Sequence, residues 1–350
     1  MPRFLFRLDV SPSVGIGHLR RCLTLASELA EHGSEIFLLC RVEAFDISKH
    51  MTRIVTDWAA CDWSLNPEED AQEVIRYSRM KHIDSVIIDH YRTDQTYQKI
   101  LYESGIRWLQ FDGAARYPIW ADWVLNMSPV ASEELYEKLK PRKDTCLLLG
   151  SRYALLRREF QQQRSRAKKS GPVKRILLTF GGGDDQGATI FCLEAIRSLA
   201  REVEQIVLLS SANPRKEEIW RWSRDVQNVR VVLDAAETVP FMASADLAII
   251  AGGMTAFETA ALGVPALILQ IANNQVPIAR AWQQCGYGVD LGPLSSMYGR
   301  DIEREASALM NSPKRREAMS TVGRSLVDGL GTGRVARVLL SERPFREASG

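Results

Sequence analysis

Apolar positions fall into short runs in two separate series along the chain, and both series open the same way. Arg3 to Asp9 (RFLFRLD) is an apolar run of buried-strand length. Ser11, Pro12, Gly15 and Gly17 then mark a turn. Beyond it Leu19, Cys22, Leu23, Ala26, Leu29 and Ala30 recur at helical spacing, which predicts a helix from at or just past His18. Further runs at 34–40, 84–89, 106–112, 122–127 and 145–149 read as strands, with helices predicted over 66–82 and 94–104. Strands separated by helical stretches imply right-handed crossovers and a parallel sheet.

The series breaks at 157–174, a dense basic run followed by Ser-Gly-Pro that reads as a connection. It then restarts: a strand at 175–180, a glycine loop at 181–185 and a helix over 188–201. Strands at 205–210, 229–233, 246–251 and 265–270 follow. The pattern predicts an α/β protein of two facing Rossmann-like domains with a cleft between them. The expected bounds are 1–156, a linker at 157–174, a second domain at 175–330, and a final helix and tail at 331–350. Domain interfaces are preferred places for ligand sites.

Composition narrows the function classes. A chain of 350 residues, 45% hydrophobic and 25% charged, has room for two ordinary globular cores. Its net charge of +2 leaves no basic excess for a dedicated nucleic-acid binder. Arg7 and Asp9 interrupt the apolar start, and no run reaches the roughly 18 uncharged apolar residues of a membrane span. A cytoplasmic protein without membrane insertion is expected. Cysteines at 22, 40, 61, 146, 192 and 285 form no C-x-x-C pair, so no zinc or redox motif is supported. No metal or cofactor is expected.

The chemistry-bearing residues sit beyond predicted strand ends, where open α/β sheets bind ligands. His18 lies near a helix N-terminus, where unpaired N–H groups favour an anion. It reads either as a base or as a residue that caps or packs the first turn. Asp89-His90-Tyr91 ends another strand at the same sheet edge. Asp89 reads as a site residue or a helix cap, and Tyr91 as a site residue or an amphipathic lid. Neither glycine loop matches G-x-G-x-x-G or G-x-x-x-x-G-K, which disfavours NAD and P-loop chemistry. In the second half Gly252-Gly253 precede a helix, and Thr255-x-x-Glu258 fits a capping box. Glu258 reads as that cap or as a carboxylate for ribose hydroxyls. Asn273, Asn274 and Gln275 suit either a polar ligand or a cap on the helix near Pro277.

As an ordered set these motifs resemble the pseudaminic acid pathway hydrolases, the PseG family, which are UDP-sugar hydrolases related in fold to the MurG glycosyltransferase. The resemblance rests on Arg7 and Asp9, then Gly15, Gly17, His18 and Arg21, then Ile87 to Tyr91. It continues through Tyr153 to Phe160, Phe180 to Asp184, Gly252 to Pro265, and Asn274-Gln275. It spans about residues 3 to 340. The chain departs from the family pattern at Pro12 and at Gly183, where a serine is common.

The resemblance implies a GT-B fold and hydrolysis of UDP-2,4-diacetamido-2,4,6-trideoxy-β-L-altropyranose to UDP and the free sugar. It implies a catalytic base at His18. Substrate contacts are implied at Asp9, Gly17, Arg21, Tyr91, Arg157 and Asn274, and nucleotide contacts at Gly182, Gly183, Gly253, Thr255 and Glu258. A nucleoside diphosphate leaves readily, so the reaction needs mainly a base for water and a positive environment for the departing group. The helix starts after Gly183 and Gly253 are the expected source of that environment. Attack opposite UDP predicts inversion. Asp9 or Tyr91 is expected to orient the imidazole or hold a sugar substituent. Two alternatives remain open: a MurG-like inverting glycosyltransferase, and a sugar-nucleotide-binding protein without catalysis.

Overall fold

β1 (Arg3–Val10) is buried continuously from Phe4 to Val10. A parallel strand covered on both faces reads as an unbroken apolar run, which is why the sequence announces it. The computed structural model describes residues 1–11, 17–43, 53–62, 64–113, 115–164, 171–235 and 237–341. The chain divides into one unit of Met1–Leu155 with Gly331–Gly350, and a second of Leu156–Leu330.

In the first unit β1 is followed by α1 (Gly17–Glu31), β2 (Glu35–Val42), β3 (Val55–Ala60), α2 (Pro67–Met80) and β4 (Ser85–Asp89). Then come α3 (Gln95–Glu103), β5 (Trp108–Phe111), β6 (Trp123–Asn126), α4 (Glu133–Tyr136) and β7 (Cys146–Leu149). Among the described residues the sheet order is β3-β2-β1-β4-β5-β6-β7, with parallel pairing throughout. β3 has no counterpart among the predicted strands. It is a half-exposed edge strand, and VTDWAA offers no apolar run to mark it.

α2 starts where its sequence says it should. Pro67 stands at its first position, Asn66 Oδ1 accepts from Glu69 N at 2.9 Å, and Glu69 Oε2 accepts from Asn66 N at 2.9 Å. One sheet face packs Leu5, Phe37, Leu39, Val86 and Ile88 against Ala71, Val74, Ile75, Tyr97 and Leu101 of α2 and α3. Strand alternation turns Leu8 and Asp89 to the opposite face, which α1 covers.

The second unit runs α5 (Arg158–Arg164), β8 (Arg175–Thr179), α6 (Ala188–Ala195), β9 (Glu204–Leu209), α7 (Lys216–Arg224) and β10 (Val229–Leu233). It continues α8 (Val239–Ser244), β11 (Leu247–Ala251), α9 (Met254–Leu262), β12 (Ala266–Gln270), α10 (Val276–Gln284), β13 (Gly288–Pro293), α11 (Gly299–Met310) and α12 (Pro313–Leu326). Its parallel sheet has the order β10-β9-β8-β11-β12-β13 among the described residues. The helix expected over 188–201 ends at Ala195, and a 3-10 turn follows over Arg197–Arg201.

The stretch expected to be a linker is partly helical. α5 occupies Arg158–Arg164 and belongs to the second unit, where Phe160 is fully buried, Arg158 is exposed, and Arg164 is half-buried and donates to the Arg324 carbonyl. Residues 165–170 of that stretch lie outside the described residues. α13 (Gly331–Leu340) belongs to the first unit, where it packs on α1 and on the turn at Ser151–Tyr153. Gly331 enters directly against the backbone of Tyr153 and Ala154, where a Cβ would collide with the Ala154 carbonyl. Among the described residues no helix is long and apolar enough to cross a membrane.

Candidate active site

α1 begins at Gly17, so His18 sits in its first turn, just past the carboxyl end of β1. The imidazole is 5% exposed. Its Nδ1 lies 2.8 Å from Asp89 Oδ1 and 2.9 Å from the Asp89 backbone oxygen. Both of these partners are acceptors and lie closer than the nearby donor Arg21 Nη2 at 3.4 Å, so the geometry favours the tautomer with its proton on Nδ1 and its lone pair on Nε2. The Tyr91 ring stands edge-on to the imidazole, with centroids 4.9 Å apart, and is 63% exposed.

Asp89 is held from several sides. Arg21 Nε donates to Oδ2 at 2.6 Å, Arg21 Nη2 donates to Oδ1, and Cys22 Sγ donates to Oδ2 at 3.4 Å. The Arg21 guanidinium also lies 4.8 Å over the Phe111 ring. Burial would raise the carboxyl of Asp89, but Arg21 and then His18 outweigh it and hold the group well below the usual carboxylate range. Burial works against the charge on Arg21 too, and Asp89 keeps it firmly protonated. The Cys22 thiol is pushed well up, by burial first and Asp89 second, so it is no thiolate nucleophile.

Asp9 lies elsewhere. Alternation along β1 puts Arg7 and Asp9 on the α2 face, away from His18. There Arg7 Nη1 donates to Asp9 Oδ1 at 2.7 Å, while Arg7 Nε and Nη2 reach Asp70 at 2.9 and 3.0 Å. Arg41 Nη2 adds a 3.3 Å ion pair to Asp70. His90 belongs to this buried group: its Nδ1 accepts from Arg92 N at 3.2 Å and its Nε2 faces Tyr97 Oη at 3.3 Å. Burial, then Arg7 and Arg41, keep the His90 imidazole well below the ordinary histidine range. The carboxylate that orients His18 is therefore Asp89, not Asp9. A pairing across 71 residues leaves no local mark in the sequence. Gly17 is the first residue of α1, and Gly15 of the same motif lies outside the described residues.

In the second unit the two glycine loops differ in a way the sequence did not show. α6 begins at Ala188, where the sequence pattern placed it, beyond the loop glycines. Asp185 Oδ1 accepts from Gly187 N and Oδ2 from Thr189 N, both at 3.0 Å. A buried carboxylate thus already occupies the N–H groups expected to face a phosphate. Gly182 and Gly183 lie in the loop before it, and Asp184 pairs with Arg215 at 2.8 Å.

α9 begins differently. Its N-cap is Gly253, in extended conformation, a residue with no side chain to cap the first turn. Thr255 is already inside the helix and Glu258 lies a further turn along, so the expected capping box is absent. The helix starts early because Gly253 can sit outside it without a side chain. A Cβ at Gly253 would meet nothing within 4 Å, whereas one at Gly252 would meet Gln275 Cβ and the Gln275 carbonyl at 3.2 Å. Asn274 is exposed in the 3-10 turn Asn273–Gln275. Gln275 turns back to accept from Ile271 N at 3.1 Å and does not cap α10. Arg157 Nη2 donates to Thr238 Oγ1 at 3.0 Å, with its guanidinium 5.5 Å from the Phe160 ring.

No family model matches the chain. It is 25% identical over 331 residues to the spore coat polysaccharide biosynthesis protein SpsG of Bacillus subtilis, covering 93% of this chain and 94% of that one. It is also 25% identical over 290 residues to the UDP-2,4-diacetamido-2,4,6-trideoxy-β-L-altropyranose hydrolase of Campylobacter jejuni, covering 82% and 98%. Among solved structures it is similar to MurG of Acinetobacter baumannii, with a TM-score of 0.69 at 16% identity over 97% and 100% of the two chains. Staphylococcus aureus MnaA with UDP matches at a TM-score of 0.64 and 13% identity over 98% and 99%. The fold is that of the GT-B glycosyltransferases.

Proposed function

We propose that this protein hydrolyses a UDP-linked sugar, with His18 as the general base that activates water. The observation that carries the reading is the His18–Asp89 pair at the start of α1. A buried carboxylate that fixes the proton on Nδ1 prepares Nε2 to accept one from water. The substrate favoured is UDP-2,4-diacetamido-2,4,6-trideoxy-β-L-altropyranose, in pseudaminic acid biosynthesis. The similarity to the Campylobacter hydrolase along nearly all of its length supports that choice.

In this reading water attacks the anomeric carbon opposite UDP and loses its proton to Nε2, the C–O bond to the diphosphate breaks, and the sugar inverts. The first turn of α9 receives the diphosphate, with the glycine N-cap Gly253 allowing close approach. Glu258 serves the ribose hydroxyls and Thr255 the phosphate end, while Gly182 and Gly183 line the nucleotide side. Gly17, Tyr91, Arg157 and Asn274 contact the rest of the substrate. A base of this kind contributes about 10²–10⁴-fold.

A sugar transfer to an acceptor is the second reading, favoured by the similarity to a polysaccharide biosynthesis protein over 93% of the chain. One experiment separates them. The protein is mixed with the UDP-sugar in water without acceptor and followed by proton NMR, beside His18→Ala. Release of UDP and inverted free sugar, lost in the variant, supports the hydrolase. Binding without turnover would sink it and direct attention to acceptors.

A further inference from the structure

Arg21 sits one helical turn after His18, and the family resemblance makes it a substrate contact. Its geometry serves another purpose. Arg21 Nε and Nη2 each bind a different oxygen of the Asp89 carboxylate, and its guanidinium carbon lies over the Phe111 ring, 4.8 Å from the centroid. Side-on pairing of this kind fixes the plane of a carboxylate as well as its position. The oxygen that Arg21 Nη2 holds, Oδ1, is the same one that lies 2.8 Å from His18 Nδ1.

We infer that Arg21 is a positioning residue: it locks the Asp89 carboxylate in the one rotation that keeps the proton of His18 on Nδ1. Two observations agree. The Arg21 charge neutralises Asp89 within a buried site, so the carboxylate acts as an oriented acceptor and not as an uncompensated buried charge. Cys22 closes the remaining side of Oδ2, which leaves Oδ1 facing the imidazole.

The inference rests on the reading of His18 as the base, but its test has an arm that needs no substrate. Two-bond proton–nitrogen NMR of protein labelled at histidine reads which ring nitrogen carries the proton in the neutral imidazole. The wild type is expected to show His18 as the Nδ1–H form alone. Arg21→Met is expected to show a mixture of both forms, and Arg21→Lys, which keeps the charge without the fork, an intermediate mixture.

In kinetics Arg21→Met is expected to lower kcat about 10- to 100-fold, the range for partners that orient a functional histidine, with KM within about twofold. The double variant with Asp89→Asn should be no slower than Asp89→Asn alone, because Arg21 acts through Asp89. An unchanged Nδ1–H form in Arg21→Met overturns the inference. A raised KM with kcat intact also overturns it and returns Arg21 to the substrate. If the wild type turns over no UDP-sugar, the NMR arm decides the matter alone, and Arg21→Lys decides it where Arg21→Met does not fold.

Discussion

Asp89 presents two acceptors to one nitrogen of His18, its carboxylate at 2.8 Å and its own backbone carbonyl at 2.9 Å. Replacing the carboxylate with an amide keeps the shape and offers a donor where an acceptor stood. Asp89→Asn is expected to fold and to lose about 10²–10⁴-fold in kcat, the full contribution of a general base. Steady-state kinetics with the UDP-sugar checks this, and a loss confined to KM would contradict the role.

The two neighbouring glycines before α9 should separate packing from binding. Gly252→Ala forces a methyl against Gln275, and overpacking of that order costs about 1–3 kcal/mol. Gly253→Ala meets open space, so only the poorer N-cap propensity of alanine is felt, a loss of about 1 kcal/mol or less. It should weaken UDP about tenfold, or about 1.4 kcal/mol, because the methyl stands where a phosphate approaches. Calorimetric melting and UDP titration of both variants give the comparison. Equal UDP affinity in Gly253→Ala would move the phosphate site elsewhere.

Asp185 predicts the opposite separation. Its carboxylate caps α6 through Gly187 N and Thr189 N. Asp185→Ala is expected to lower stability by about 0.5–2 kcal/mol, the cost of a lost N-cap. Urea unfolding reads it directly. A variant as stable as the wild type would show the cap to be dispensable.

His90 makes the fold sensitive to mild acid. Burial and the nearby Arg7 and Arg41 hold its imidazole neutral in the folded state, with Asp70, Asp89 and Tyr97 also facing it. On unfolding its pKa returns to about 6.5. The unfolded chain therefore binds the proton first as pH falls. This contribution to stability is complete above about pH 6.5 and declines below it, by about tenfold in the folding constant per pH unit. His90→Asn keeps an acceptor for Arg92 N and removes the titration. Unfolding curves between about pH 7.5 and 5 should be steeper in pH for the wild type than for the variant. Parallel slopes would mean that the imidazole is protonated in the fold as well.

Much of the fold could be read from the chain because its strands are buried on both faces. Runs such as RILLT and LAIIA leave little choice of structure. β3 escaped for the converse reason, since an edge strand with one wet face carries no such run. Within the site, the position of His18 followed from local pattern alone. Its partner did not, because Asp89 is brought to it by sheet pairing between β1 and β4. The α6 start at Ala188 followed from the pattern, whereas the cap of α9 did not, because a glycine competed for it. Thr255 and Glu258 have the right spacing, but Gly253 takes the position first. Asp185 looks like one more polar loop residue until its two backbone donors are seen.

The packing of α13 on α1 bears on how the molecule is made. Synthesis proceeds from β1 toward α13, and domains generally begin to fold as they leave the ribosome. The half that carries His18 is begun first, yet α1 waits for its helical neighbour until the whole of Leu156–Leu330 has been translated. A nascent chain halted before Gly331 holds the His18 loop but not the helix that backs it. A chain interrupted there is left with α1 bare on the side where α13 packs.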